Sequence, residues 1–304
     1  MTYARRTQAQ VLGEIDTEER ARAWFWRERF EGKRFVCPSC SEVDSFWQHK
    51  RWPEIRQCSV CKHEVRLRAE GLLRDSKLPL LTWVRALVLL TSDKRGVSAL
   101  TLMRQLGIGS YRTAWLLSHK IRSALKCRDE AYALSGVVEL DGSSIGSRSA
   151  GNQAPILVAI ESRTYVDNKG TTRQKAGFAK AIVGSESTRD AQAFLHAAVA
   201  PSALVNTDAK SALLAIKGFD TEHRKMSQDK EELDAWLPHV FRFTENAKVW
   251  IAGTFHGVIK KYVGLYLAEY TYRFNRRHDQ NSMFHRALLA CLRAPPLTRK
   301  VLCA

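Results

Sequence analysis

Apolar positions follow two rhythms along the chain. Over residues 8–31, alanines and the aromatics Trp24, Phe25, Trp26 and Phe30 recur among Glu and Arg, a pattern that predicts a helix. Leu78-Pro79-Leu80 opens a longer helical pattern through Trp83, Leu87 and Leu90. Leu100, Leu102 and Leu106 lead into Gly107-Ile108-Gly109-Ser110, where Ser110 is placed to cap a helix running through Trp115, Leu116 and Ile121. Two helices joined by a short glycine-containing turn form a helix-turn-helix. From residue 136 the rhythm changes. Residues 136–141, 154–160, 179–183 and 203–208 predict strands, and Ser187-Thr188-Arg189-Asp190 predicts the cap of a helix reaching about Val199. Strands, a helix, a strand and further helices describe an α/β layer. Residues 220–234, with six acids, read as a solvated connection.

Charge adds a partner to this outline. The 304 residues carry 48 Lys and Arg against 31 Asp and Glu, a net charge of +17, and a chain that basic meets a polyanion. Residues 1–127 hold 24 basic and 13 acidic residues, so the excess is concentrated there. The length suggests about two domains. With 45% hydrophobic and 26% charged residues, disorder and collagen are excluded. No apolar run approaches the roughly 18 residues of a membrane span, and MTYARRTQAQ lacks the apolar stretch of a secretory signal. The expected location is therefore the cytoplasm, associated with the nucleoid when bound to DNA.

Cys37-Pro-Ser-Cys40 and Cys58-Ser-Val-Cys61 form two C-x-x-C knuckles separated by 17 residues. Four thiolates at that spacing suit one tetrahedral Zn²⁺. The alternating residues 46–50 and 63–68 supply the short strands of a zinc ribbon. Disulfides fit poorly with a cytoplasmic chain. Cys127, Cys291 and Cys303 are isolated.

Beyond the ribbon, Arg112, Lys120 and Arg122 offer cationic positions on the second helix of the helix-turn-helix, suited to a DNA groove. Asp141 and Asp208 each end an apolar strand. On neighbouring strands the two carboxylates would share one edge of a sheet, within reach of the divalent cations that two-metal phosphoryl transfer requires. Alternation puts Glu139 on the same face as Asp141, where a buried Glu needs a partner such as Lys248 or must hold a proton.

The order of zinc ribbon, helix-turn-helix, V-V-E-L-D and N-T-D resembles prokaryotic insertion-sequence transposases with an RNase H-like DDE domain. The most specific likeness is Asn246-Ala247-Lys248-Val249-Trp250-Ile251-Ala252-Gly253-Thr254-Phe255-His256-Gly257-Val258, followed by Arg273-Phe274-Asn275-Arg276-Arg277. It is similar to a subgroup whose third active-site position is Asn. The resemblance covers about residues 20–290. It implies an RNase H-like catalytic domain over 131–304, preceded by an N-terminal helical segment (1–33), a zinc ribbon (34–70) and a helix-turn-helix-like DNA-binding region (71–130). It further implies catalytic and Mg²⁺- or Mn²⁺-binding roles for Asp141, Asp208 and Asn246, with Lys248, Arg273, Arg276 and Arg277 facing DNA. The family follows its first Asp with an acidic residue and an aromatic and its second with Gly; here Gly142-Ser143-Ser144 and Ala209-Lys210 stand instead.

Glu245 and Asn246 are adjacent, and side chains diverge by roughly 100° per residue on a helix, so one of them faces the metals. Glu245 has the charge and Asn246 the motif register. Three functions remain open on these residues. One is a transposase that cuts element ends and joins the 3′-OH to target double-stranded DNA, working at least as a dimer. The others are a DNA-binding protein with a degenerate RNase H-like domain, and a nuclease without strand transfer.

Overall fold

The computed structural model describes residues 8–30, 34–69, 71–147, 151–224 and 236–303. They divide into two compact units, Met1–Leu125 with Asp279–Ala304, and Lys126–His278. The expectation of a catalytic domain running to residue 304 is therefore corrected, because the last helices pack with the N-terminal unit.

In the first unit, helices α1 (Gln8–Glu14) and α2 (Glu18–Arg29) replace the single helix expected over 8–31. The break falls at Thr17, whose extended backbone and side-chain oxygen, accepting from the Arg20 N–H at 3.2 Å, start α2 afresh. Strands β1 (Phe46–Gln48), β2 (Ile55–Cys58) and β3 (Glu64–Arg66) form an antiparallel sheet in that order. Helix α3 (Leu80–Ser92) buries Trp83, Leu87 and Leu90, as its pattern predicts. Its N-terminus is capped from a distance: Glu18 accepts from the Leu80 and Leu81 N–H groups at 2.8 and 2.9 Å. Helices α4 (Ala99–Gln105) and α5 (Tyr111–Glu130) flank a turn in which Gly107 takes φ +64°, the left-handed conformation that ends α4. Further along the chain, α10 (Gln280–Arg293) lies on α3, and α11 (Arg299–Cys303) ends the described residues. Gly71 fixes part of that closure, since a Cβ there would sit 2.6 Å from the Leu292 carbonyl oxygen.

The second unit is built on five strands: β4 (Val137–Ile145), β5 (Ala154–Val166), β6 (Thr172–Val183), β7 (Leu204–Asp208) and β8 (Asp220–Arg224). Their order is β6-β5-β4-β7-β8, with β4 to β6 antiparallel and β4, β7 and β8 parallel. This mixed sheet with helices on both faces is an RNase H-like arrangement. Strand β5 shows why both faces are covered. Ile156, Val158 and Ile160 pack against α8 (Pro238–Phe255) and α9 (Val263–Asn275), while Leu157 and Ala159 pack against α6 (Thr188–Ala198). Helix α6 begins at Ser187, which accepts from the Asp190 N–H at 3.2 Å. Residues 220–224, expected in a solvated connection, instead extend the sheet as β8. The remainder of that stretch, 225–234, lies outside the described residues.

Candidate active site and nucleic-acid surfaces

Parallel pairing of β4 with β7 sets the site. Leu140 lies opposite Thr207, so the next residue on each strand, Asp141 and Asp208, emerges on the same face at the same edge. Both are buried, at 8% and 7% exposure. Between them stands Lys210, two residues past Asp208, at the start of the short helix α7 (Ser211–Leu214). Its Nζ is 3.1 Å from Asp208 Oδ2, 3.6 Å from Asp141 Oδ1 and 2.6 Å from Glu186 Oε1. Burial pushes the Asp141 carboxyl up to about 6; Lys210 opposes the rise, and the Asp208 and Glu186 charges add to it. Burial alone would lower the Lys210 ammonium, but the Glu186, Asp141 and Asp208 carboxylates together hold it above the usual lysine range. Sequence reasoning found the two aspartates and missed Glu186 and Lys210. Lys210 had a signal, its spacing from Asp208; Glu186, in the turn before α6, had none.

Helix α8 carries Asn246, the residue expected at the third position. Its buried side carries Val240, Phe243, Thr244, Ala247, Trp250 and Ile251. At roughly 100° per residue, Asn246 borders this face beside Phe243 and Trp250, whereas Glu245 lies on the opposite side. Glu245 is 68% exposed and pairs with Lys248 at 2.7 Å. Asn246 is exposed, and its side chain makes no hydrogen bond among the described residues. The expected Lys248 partner for Glu139 is corrected too. Glu139, 1% exposed, receives the His239 and Val240 N–H groups at 2.8 and 2.9 Å and so holds the N-terminus of α8. Burial pushes its carboxyl up to about 7, against these two bonds.

Residues 129–275 match the family model of the ISXO2-like transposase domain. This segment is an insertion-sequence transposase domain. No curated protein matches the chain. The matched domain supports a DNA transposase in general, an enzyme that acts on DNA.

The R-F-N-R-R segment of the transposase domain is a lock rather than the DNA-facing helix expected. Arg276 is 5% exposed, pairs with Asp129 at 2.6 Å and stacks its guanidinium 3.7 Å from the Tyr272 ring centre. Asn275 donates to Asp129, Tyr132 and the Ala179 carbonyl, and accepts from the Ala179 N–H at 2.7 Å. Arg277 donates to the Ala176, Gly177 and Phe274 carbonyls, and Arg273 lies 3.7 Å from the buried Glu269. These residues tie the end of α9 to β6 and to the start of the domain. His256 ends α8 in a left-handed conformation, φ +53°, followed by Gly257 at +106°.

Two of the three cations expected on α5 are also corrected. Lys120 is 6% exposed and donates to the Leu72 and Arg74 carbonyls at 3.0 and 3.1 Å; Arg122 is 1% exposed and donates to Ser118 at 3.1 Å. Arg112 stays exposed. A surface that sequence reasoning missed lies beside the ribbon. A cavity of about 760 Å³ is lined by Arg22, Arg51, Arg66, Arg68, Arg74 and Trp52, among others. Arg68 is neutralised by Glu54 at 2.6 Å, while Arg51 packs over Trp52, itself 52% exposed.

The four cysteines converge as their spacing predicts. Their sulfurs all lie within 4.8 Å of one another, with Cys37 and Cys61 at 3.5 Å and Cys40 and Cys58 at 3.6 Å. That is too long for a disulfide and near the ~3.8 Å edge of a tetrahedron with metal–sulfur bonds of about 2.3 Å. The knuckles repeat one turn. Cys37 and Cys58 donate their N–H groups to Glu42 and His63, both at 2.9 Å, and Ser41 and Lys62 take φ of 61° and 63°. The His63 N–H and the neighbouring thiols hold the Cys61 thiol down, while those thiols push Cys40 up. These residues fit a structural metal such as zinc.

Proposed function

We propose that the protein is a transposase that cuts insertion-sequence ends and joins the resulting 3′-OH to target DNA. The observation that carries this reading is the pair of buried carboxylates, Asp141 and Asp208, side by side on adjacent parallel strands with an ammonium drawn between them. Such an edge is chemistry for cations. Asp141 and Asp208 would hold Mg²⁺ or Mn²⁺, with the Asn246 amide oxygen as the third position. When bound, the two ions supply Lewis acidity to the attacking oxygen and to the leaving 3′ oxygen. The chain's own part is placement. Glu139 anchors α8 by its first turn, which fixes the helix carrying Asn246 against the sheet.

The first unit is the main DNA-holding part in this reading. One Zn²⁺ on Cys37, Cys40, Cys58 and Cys61 would hold the ribbon together. Arg112 and the arginine-lined cavity beside the ribbon would take phosphates. Two DNA ends must be held together, so the acting form is at least a dimer, working in the cytoplasm on nucleoid DNA. No helix among the described residues is long and apolar enough to cross a membrane.

A second reading, a DNA-binding protein with a degenerate catalytic domain, draws on Lys210 lying between the two aspartates and on the amide at position 246. Strand transfer with Mg²⁺ on terminal-repeat DNA separates the readings. Joined products support the transposase, cleavage without joining leaves a nuclease, and binding alone leaves the degenerate protein.

A further inference from the structure

Glycine follows Asp141 on β4, and the space it leaves is occupied. A Cβ at position 142 would fall 2.0 Å from Glu186 Cγ and 2.2 Å from Glu186 Oε1. No side chain is tolerated at 142 while Glu186 keeps its place, because two carbon atoms cannot approach so closely. From that seat Glu186 contacts the same ammonium that reaches Asp141 and Asp208. Lys210 thus marks the point on which three carboxylates from three separate segments converge. Lys210 offsets one of the three carboxylate charges, and its departure leaves the edge at −3, a charge that calls for divalent cations. Lys210 reaches this point on a flexible four-carbon stem and is 47% exposed, so it can leave without disturbing the sheet.

We propose that Glu186 is a third carboxylate of the divalent-cation site, seated in the space that Gly142 leaves open, and that Lys210 is an internal cation that gives way when the metal enters. The proposal rests on the reading of Asp141 and Asp208 as metal ligands and adds a residue to it. The carboxylate is delivered from the turn between β6 and α6.

The test is Mn²⁺ binding to the full chain without DNA, measured by titration calorimetry and by the electron paramagnetic signal of free Mn²⁺. Glu186→Gln should weaken binding about tenfold, since affinity at such sites follows ligand charge. Gly142→Ala should do the same while removing no charge, by dislodging Glu186. The double variant should bind no more weakly than either single one, as expected for changes acting through one group. Lys210→Met should bind Mn²⁺ more tightly than the parent. Wild-type affinity in Glu186→Gln would overturn the role of Glu186, and weaker binding in Lys210→Met would overturn that of Lys210. Should Gly142→Ala fail to fold, the other two variants still decide. Asp141→Asn is the separate control: unchanged Mn²⁺ binding there would remove the metal-ligand reading itself.

Discussion

The cysteine ribbon draws its ligands from two stretches of four residues, and the four sulfurs lie within 4.8 Å of one another. At the sheet edge, Asp141, Glu186 and Asp208 come from three distant segments, and a lysine fills the space among them. The difference follows from how each set is held. A C-x-x-C turn places its two sulfurs by local backbone bonds, repeated here in both knuckles, so the ribbon needs one hairpin to bring the pairs together. The carboxylates meet only when β4 and β7 pair in register and the turn before α6 folds over Gly142. Buried carboxylates gathered without a metal repel one another, and Lys210 offsets that repulsion. The thiols meet no such repulsion while protonated.

The comparison is broken most severely by removing metal from the ribbon. Chelation, or Cys58→Ser, should cost the ribbon about 10 kcal/mol of metal-linked folding energy. DNA binding should weaken while the transposase domain stays folded, as read by zinc analysis and by separate melting of the two units. Loss of both units together would show that they are one cooperative body.

Next in size, Asp208→Asn and Asp141→Asn should each lower cleavage and strand transfer by at least about a thousandfold, ~4 kcal/mol of barrier. DNA affinity in a shift assay should hardly move. Asn246→Ala should be far more damaging than Glu245→Ala, because Glu245 faces away and is occupied with Lys248. The opposite ranking would transfer the third position to Glu245.

Arg276→Ala leaves Asp129 buried without its cation and should destabilise the transposase domain by about 3 kcal/mol. Its melting temperature should fall while the salt dependence of DNA binding keeps its slope. Arg51→Ala should do the reverse, lowering DNA affinity modestly and flattening the salt slope by about one unit, with melting unchanged.

The smallest effect is on acid stability of the first unit. Burial, with the Arg122 charge in support, pushes His119 down to about 3, while the unfolded imidazole titrates near 6.5. The folded state therefore binds fewer protons between these values. The stability this contributes is complete above pH 6.5 and is lost progressively as pH falls toward 3. Urea midpoints at pH 7.5 and 4.5 should differ less in His119→Gln than in the parent.

The sequence by itself determined what depends on neighbours along the chain. The C-x-x-C spacing set the sulfur cluster, Ser187 set the start of α6, and apolar runs set the strands that carry Asp141 and Asp208, although β4 continues past Asp141 to Ile145. Charge count pointed to DNA, and the motif register around Asn246 named the family. What only the tertiary structure decided is which cations are free and which carboxylates share an edge. Lys120, Arg122 and Arg276 read as DNA contacts because a sequence records charge but not burial; Lys120 is spent on carbonyls and Arg276 on a carboxylate from other elements, and Arg122 on a hydroxyl one turn back in its own helix. Glu186 and Gly142 lie 44 residues apart, and nothing local couples them. Their relation exists only once β4, β6 and α6 are packed, because it consists of one side chain filling the space another lacks.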